Sequence, residues 1–229
     1  MKVLVGTSGY AYKEWKGTFY PEKLPADEFL SFYASKFRTV EINNTFYRMP
    51  TERLLQDWAG QVPDGFVFVL KAPQKITHIR RLKECSAEVE FFTHTATTLG
   101  EKLGPTLVQL PPNMKKDLPR LVDFLALFPK RWRVAVEFRH VSWLEDDVYA
   151  ALKERDAALC MADTDENAAP AITATASWGY LRLRSAGYDA TAMKTWASLI
   201  QAQPWTEAYA FFKHELSGPE FAEQLQALL

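Results

Sequence analysis

The sequence predicts an α/β protein, a parallel eight-stranded TIM-type β/α barrel whose sixth helix is short or absent. Three observations carry this expectation. Eight short apolar runs alternate with helix-patterned segments, which implies right-handed βαβ crossovers and a parallel sheet. Most of those runs are near-continuous Val, Leu, Phe and Ala, as strands covered on both faces require. Eight units within 229 residues, with no linker, internal repeat or low-complexity tract between them, favour one closed barrel over residues 1–229 rather than an open sheet.

In chain order, strands are expected at Val3–Thr7, Thr39–Asn43, Phe66–Lys71, Thr106–Leu110, Arg133–Phe138, Ala158–Asp163, Tyr180–Arg184 and Tyr209–Lys213. Amphipathic helices are expected at Ala26–Lys36, Glu52–Gly60, Leu82–Leu103, Leu118–Leu127, Leu144–Arg155, Thr191–Ala202 and Pro219–Leu228. Thr51 is placed to cap the helix that ends at Gly60, and Ser142 to cap the one that begins at Leu144. The stretch Thr164–Trp178 lacks apolar periodicity, so the sixth helix is expected to be short or missing.

Hydrophobic residues make up 48% of the chain and aromatics 14%, which excludes a disordered polypeptide. The net charge of −1 and pI of about 6.4 give no general basic excess for nucleic acid or a membrane surface, so any basic site must be local. Cys85 and Cys160 stand in no metal or redox spacing. No stretch approaches the length of a membrane span, and the N-terminal apolar run is shorter than a signal sequence needs. A soluble cytoplasmic protein is expected. Its oligomeric state is left open.

Charged residues are costly inside strands buried on both faces unless they are paired or face a wet site. Here they gather late in the strands: Glu41 and Asn43, Lys71, Gln109, Glu137 with Arg139 and His140, Asp163, Arg182 with Arg184, and Lys213 with His214. Strand side chains alternate, so Glu41 shares a face with Asn43, Glu137 with Arg139, and Arg182 with Arg184. Pointing inward, these groups would converge at the C-terminal mouth, where barrels of this kind carry their sites. Lys71, Arg139, Arg182, Arg184 and Lys213 against Glu41, Glu137 and Asp163 leave a local excess of positive charge, suited to an anionic ligand. The loop KAPQKITHIRRLK adds Lys75, His78, Arg80, Arg81 and Lys83 beside an expected helix start, where a bound anion would offset both charge and dipole.

Glu41, Glu137, Asp163, His78, His140 and His214 are of metal-ligand type, but no pair has a diagnostic spacing, and no bound metal is expected. No dinucleotide, phosphate-loop or nucleophile-elbow motif occurs, so no cofactor is expected either. Tyr10, Tyr12, Trp15, Phe19 and Tyr20 crowd the loop after the first strand, and Phe46 and Tyr47 precede Arg48. Such aromatics either stack on a ligand or form a satellite core under the loop.

Six motifs in order, GTSGY-x-Y-x-x-W-x-G-x-FYP, TVEINNTFYRMP, K-A-P-x-x-ITH, LGPTLVQLPPN, VEFRHVSW and FFKHE, resemble the YecE-like family, catalogued as domain of unknown function number seventy-two. The resemblance runs from Val3 to about His214. It implies a TIM-type barrel and no established activity, substrate or cofactor. It highlights Glu41, Asn43, Tyr47, Arg48, Lys71, His78, Gln109, Glu137, Arg139, Asp163 and Arg182. Arg184–Ser185 and Lys213–His214 depart from the commoner pattern of the family, which makes roles at the last two strands the least defined.

The leading expectation is an enzyme acting on a phosphate- or carboxylate-bearing small molecule or nucleotide-like ligand. Lys71, Arg139 and Arg182 would hold the anion, with Asn43, Tyr47, Arg48 and Gln109 lining the site. Glu41 or Glu137 would act as general base, His78 as acid, and Asp163 would complete the reacting set. The alternatives are a nucleic-acid binding or processing protein, a metal-dependent barrel hydrolase or isomerase, and a non-catalytic ligand sensor.

Overall fold

The computed structural model describes residues 1–163 and 172–229. Its strands are β1 (Lys2–Thr7), β2 (Thr39–Ile42), β3 (Val67–Lys71), β4 (Leu103–Gln109), β5 (Val134–Glu137), β6 (Ala158–Ala162), β7 (Trp178–Leu183) and β8 (Glu207–Phe212). Helices α1 (Phe29–Lys36), α2 (Asn44–Tyr47), α3 (Glu52–Gly60), α4 (Ser86–Ala96), α5 (Leu118–Ala126), α6 (Asp146–Glu154), α7 (Ala190–Gln201) and α8 (Gly218–Gln226) alternate with them. Every ladder is parallel, and the order β1-β8-β7-β6-β5-β4-β3-β2 runs round a barrel.

The seam between β1 and β2 closes by other means than a ladder. Ser8 and Glu41 form an isolated parallel bridge. Beside it the Tyr33 hydroxyl accepts from the Thr7 amide at 2.8 Å and donates to the Thr39 carbonyl at 3.0 Å, doing the work of a ladder bond. Gly6 makes that close approach possible, because a Cβ there would sit 2.3 Å from the Thr39 carbonyl oxygen.

Alternation splits the apolar residues into two cores. Leu4, Val69, Leu107, Ala135, Ala158, Cys160, Trp178, Tyr180, Tyr209 and Phe211 point inward and fill the barrel. The opposite strand faces pack against the helices, as Leu70, Val108, Val136, Leu181 and Phe212 do. The N-terminal end is plugged by Glu207, which takes Lys2 at 3.2 Å, the Tyr209 hydroxyl at 2.9 Å, and Arg133.

Several element bounds differ from the sequence expectation. The helix expected at Leu82–Leu103 is α4 followed by a 3-10 turn at Thr97–Lys102, and Leu103 already belongs to β4. The early start of β4 accommodates Pro105 because the register against β3 shifts there, so no ladder donor is demanded of it. Thr51 caps α3 as expected, accepting from the Leu54 amide at 3.3 Å. Ser142 caps nothing: it lies in a 3-10 turn at Val141–Trp143, its hydroxyl accepts from the Lys116 amide, and α6 begins only at Asp146. Of the stretch expected to lack a sixth helix, residues 164–171 lie outside the described residues, and residues 172–177 form no helix. Among the described residues no helix is long and apolar enough to cross a membrane.

The aromatic loop after β1 is chiefly a satellite core. Trp15 and Tyr20 are almost fully buried, Tyr20 stacks on Phe29 at 4.3 Å, and the Trp15 indole donates to the Glu215 carbonyl at 2.7 Å. Tyr10 and Tyr12 are the exceptions. With Asn43, Asn44 and Trp58 they line a small cleft beside the ends of β1 and β2.

Candidate active site

The inward positions one step beyond the barrel core are Glu41 on β2, Lys71 on β3, Gln109 on β4, Glu137 on β5 and Arg182 on β7, all buried. Parity put them on one face and strand length put them at one end. Their polar groups then had to satisfy one another or water.

Arg182 is the hub of the ring. Its guanidinium donates to Glu137 Oε2 at 2.7 Å and to Glu41 Oε1 at 2.8 Å, with both carboxylates fully buried. Glu41 also accepts from the Tyr180 hydroxyl at 2.7 Å and from the Asn43 amide at 3.2 Å. Glu137 also accepts from Gln109 Nε2 at 2.8 Å and from the Arg184 guanidinium. Burial alone would push the Glu137 carboxyl up, but Arg182, Arg184 and Gln109 together outweigh it and hold the pKa at about 2. Glu41 is held low by the same balance of burial against Arg182 and Tyr180.

This arrangement corrects three expectations. Arg182 does not stand free to grip a ligand, because both terminal nitrogens are engaged by carboxylates. Glu41 and Glu137 are poor general bases, being strongly acidic and saturated with donors. Arg139 is not the neighbour of Glu137, because β5 ends at Glu137 and the chain turns away toward the 3-10 turn, leaving Arg139 exposed. The cationic partners of Glu137 are Arg182 and Arg184.

Asp163 is also displaced from its expected place. Cys160 faces the barrel interior, so parity turns Asp163 outward. There it accepts from the Arg184 amide and the Tyr188 hydroxyl and fastens the loop after β7. Burial raises its pKa against those hydrogen bonds. Asp163 therefore anchors the loop after β7 rather than pointing into the barrel with the other strand-end groups.

Lys71 occupies a different environment. It is buried, its Nζ donates to Gln109 Oε1 at 2.8 Å, and it sits 4.1 Å from the centre of the Phe46 ring. Gln109 cannot flip, because its Nε2 is committed to Glu137 and its oxygen is what Lys71 meets. Lys71 thus has a neutral acceptor and an aromatic face, and no carboxylate within ion-pair distance among the described residues. Burial first, then repulsion from Arg182, brings its pKa down to about 8, while Glu41 and Glu137 pull weakly the other way.

His78 lies on a single π-turn, Lys75–Ile79, with its ring edge-on to Phe46 at 4.9 Å and its Nδ1 2.9 Å from the Thr77 hydroxyl. Burial, then Lys71, Arg139 and Arg81, lower its pKa, so it is neutral at pH 7 and weak as the expected acid. The loop that carries it continues through Arg81, Leu82 and Glu84, three non-glycine residues in left-handed backbone. Three of its other cations are used internally: Lys75 and Arg80 pair with Glu88 in the first turn of α4, and Arg81 binds Asn113, while Lys83 is exposed. Glu88 thus takes the place expected for an anion at that helix start. On the rim, Tyr47 is 73% exposed and Arg48 is exposed, both at the end of α2.

Of the expected positive excess, Arg182 and Arg184 are neutralised. Among the described residues Lys71, Arg139 and Lys213 keep no carboxylate partner. Lys213 depresses the Lys71 pKa, and Lys71 and Arg139 depress that of His78, so these groups share one electrostatic neighbourhood. The Nε atoms of Arg182 and Arg184 are buried without an acceptor among the described residues, adding unused donor capacity. Among the described residues no three His, Cys, Asp or Glu side chains cluster as a metal-ligand set.

Sequence reasoning missed Tyr180 and Tyr188. Tyr180 was accessible to it, since Tyr180, Arg182 and Arg184 alternate onto one face of the seventh strand. Tyr188 comes from a loop and left no pattern.

The family model described as "Protein of unknown function DUF72" matches residues 4–229. The chain is 34% identical over 112 residues to the UPF0759 protein YecE of Escherichia coli K12, covering 48% of this chain and 41% of that protein. It is 27% identical over 155 residues to the UPF0759 protein YunF of Bacillus subtilis, covering 64% and 54% respectively. The chain thus spans about half the length of these curated relatives. A DUF72 family protein from Thermotoga maritima superposes with a TM-score of 0.87 at 27% identity, over 100% of this chain and 99% of that one. One from Enterococcus faecalis, at 20% identity, gives a TM-score of 0.81 over 99% and 95%, a likeness of fold alone. With the family model matching almost every residue and the barrel shared, the chain belongs to the DUF72 family.

Proposed function

We propose that this protein is an enzyme whose C-terminal mouth binds an anionic small molecule, with Arg139 and Lys213 drawing the anion in and Lys71 supplying the reactive amine. One observation carries the reading. Three cations at this end, Lys71, Arg139 and Lys213, have no carboxylate partner among the described residues, and one of them is a buried lysine with a pKa of about 8. Structural lysines are normally exposed or paired, whereas buried groups shifted toward neutrality mark sites where protons or bonds are exchanged. The carboxylates hold Arg182 and, through Gln109, the acceptor of Lys71 in place, so they position Lys71 without reacting themselves.

An anion that binds only the folded state stabilises it by about 2.7 kcal/mol at a hundredfold excess over its Kd. For a chain of this size that raises Tm by roughly 5–10 °C. Phosphate, sulfate or a nucleotide should therefore raise Tm beyond a chloride control of matched ionic strength. Arg139→Ala should remove most of the rise without lowering the Tm of the free protein, because Arg139 is exposed and holds no internal partner among the described residues. Lys83→Ala, a change on the outer side of the loop, should keep the rise. Equal shifts in wild type and Arg139→Ala would refute the anion site. A single-stranded oligonucleotide in the same panel, binding with a steep salt dependence, would favour the nucleic-acid reading instead.

A further inference from the structure

A lysine can react in two ways, as an acid/base or as a nucleophile, and its partners decide which. Lys71 donates to an amide oxygen that the Gln109–Glu137 bond locks in place. A neutral acceptor orients the nitrogen while stabilising its charge less than a carboxylate would. The Phe46 ring covers the nitrogen, Leu107 is the register partner on β4, and the side chain is buried, so little water competes for the nitrogen. Desolvation together with a neighbouring cation is the setting in which lysines form covalent bonds to carbonyl carbon. We propose that Lys71 forms an imine with a small oxo compound that carries a carboxylate or phosphate, such as a 2-oxo acid or a phosphorylated ketone.

The inference rests on the anion-binding reading above, which supplies the second half of the ligand's chemistry. The step balances as follows. The neutral Nζ adds its lone pair to the carbonyl carbon, the C=O π pair moves to oxygen, and a proton passes from nitrogen to oxygen to give a carbinolamine. The nitrogen pair then expels the hydroxyl, which leaves as water with one proton from solvent, and the C=N⁺ bond forms. No oxidant or reductant is consumed. The iminium is cationic and lies near Arg182, so an anionic substituent on the substrate supplies a directly paired countercharge that Lys71 lacks among the described residues. A neutral carbonyl compound gains no such compensation.

At pH 7 a pKa of about 8 leaves Lys71 with roughly two- to threehundredfold more free amine than a surface lysine. The full-length protein is incubated separately with pyruvate, dihydroxyacetone phosphate and acetone, then treated with sodium borohydride, which reduces an iminium to a stable secondary amine. Intact mass and peptide mapping should show a single adduct at Lys71 with pyruvate or dihydroxyacetone phosphate, and far less with acetone. Lys71→Arg keeps the charge and should lose the adduct. Should that variant fail to fold, the site of the adduct in the wild-type map decides the matter alone. Adducts spread over surface lysines, or none with either anionic probe, would overturn the imine, and the phosphate-induced rise in Tm would then stand or fall separately. Equal labelling of Lys71 by acetone and pyruvate, unchanged in Arg139→Ala, would keep the imine and remove the anion preference.

Discussion

Replacing Arg182 with methionine should cost the protein about 3–5 kcal/mol, the range seen when one partner of a buried ion pair is removed. Two buried carboxylates, Glu41 and Glu137, lose a shared cation at 2.8 and 2.7 Å, and neither can reach water. Glu137 retains Arg184 and Gln109, whereas Glu41 keeps only Tyr180, Asn43 and the polar groups about Ser8, so Glu41 bears the larger penalty. For a domain of this size Tm should fall by roughly 10 °C or more, measured by calorimetry. Adding Glu41→Gln to Arg182→Met should restore part of the loss, since it removes the stranded charge. The substitution should also raise the Lys71 pKa, because the cation that depresses it is gone and a carboxylate is left free. A loss below about 1 kcal/mol, within the range of exposed pairs, would mean that the ring is wetter than its burial indicates.

Acid should weaken the fold in a defined window. Glu137 has a folded pKa of about 2, against an ordinary value of 4.5. A carboxyl whose pKa is lowered by folding contributes stability that is fully present above the unfolded value and is lost as pH falls through the folded one. The window therefore runs from about pH 4.5 down to about pH 2, with Glu41 acting in the same direction. At 1.36 kcal/mol per pH unit, Glu137 alone contributes roughly 3 kcal/mol. Urea midpoints should hold steady down to about pH 5 and then fall steeply. Glu137→Gln should be less stable at pH 7, yet flatter in acid. A wild-type profile flat from pH 5 to pH 2.5 would mean that this carboxylate is not paired as the structure has it.

The fold was legible because eight apolar runs and their spacing leave few alternatives to a barrel, and parity within each run told inward from outward. Parity also assembled Glu41, Asn43, Glu137 and Arg182 correctly. It failed at the strand ends, where the two-residue period stops applying. Arg139 lies two residues beyond the end of β5, and Asp163 follows β6 on the outward phase. Nor could residue types reveal which cation each carboxylate would choose. Arg182 looked like a ligand clamp until its distances to two glutamates showed it was engaged, and Lys71 gained importance only because its acceptor is an amide. The strained turn at Arg81, Leu82 and Glu84 lacks the glycine that would have signalled left-handed backbone.

The central claim is that Lys71 is a buried amine with no carboxylate partner among the described residues, held ready at the mouth of the barrel. Heteronuclear NMR of the Lys71 side chain, followed through a pH titration with and without phosphate, tests it most directly. The expected result is a midpoint near pH 8 in the free protein, moving upward when phosphate supplies the missing charge. A midpoint near the ordinary lysine value of 10.5, unmoved by phosphate, would contradict the account.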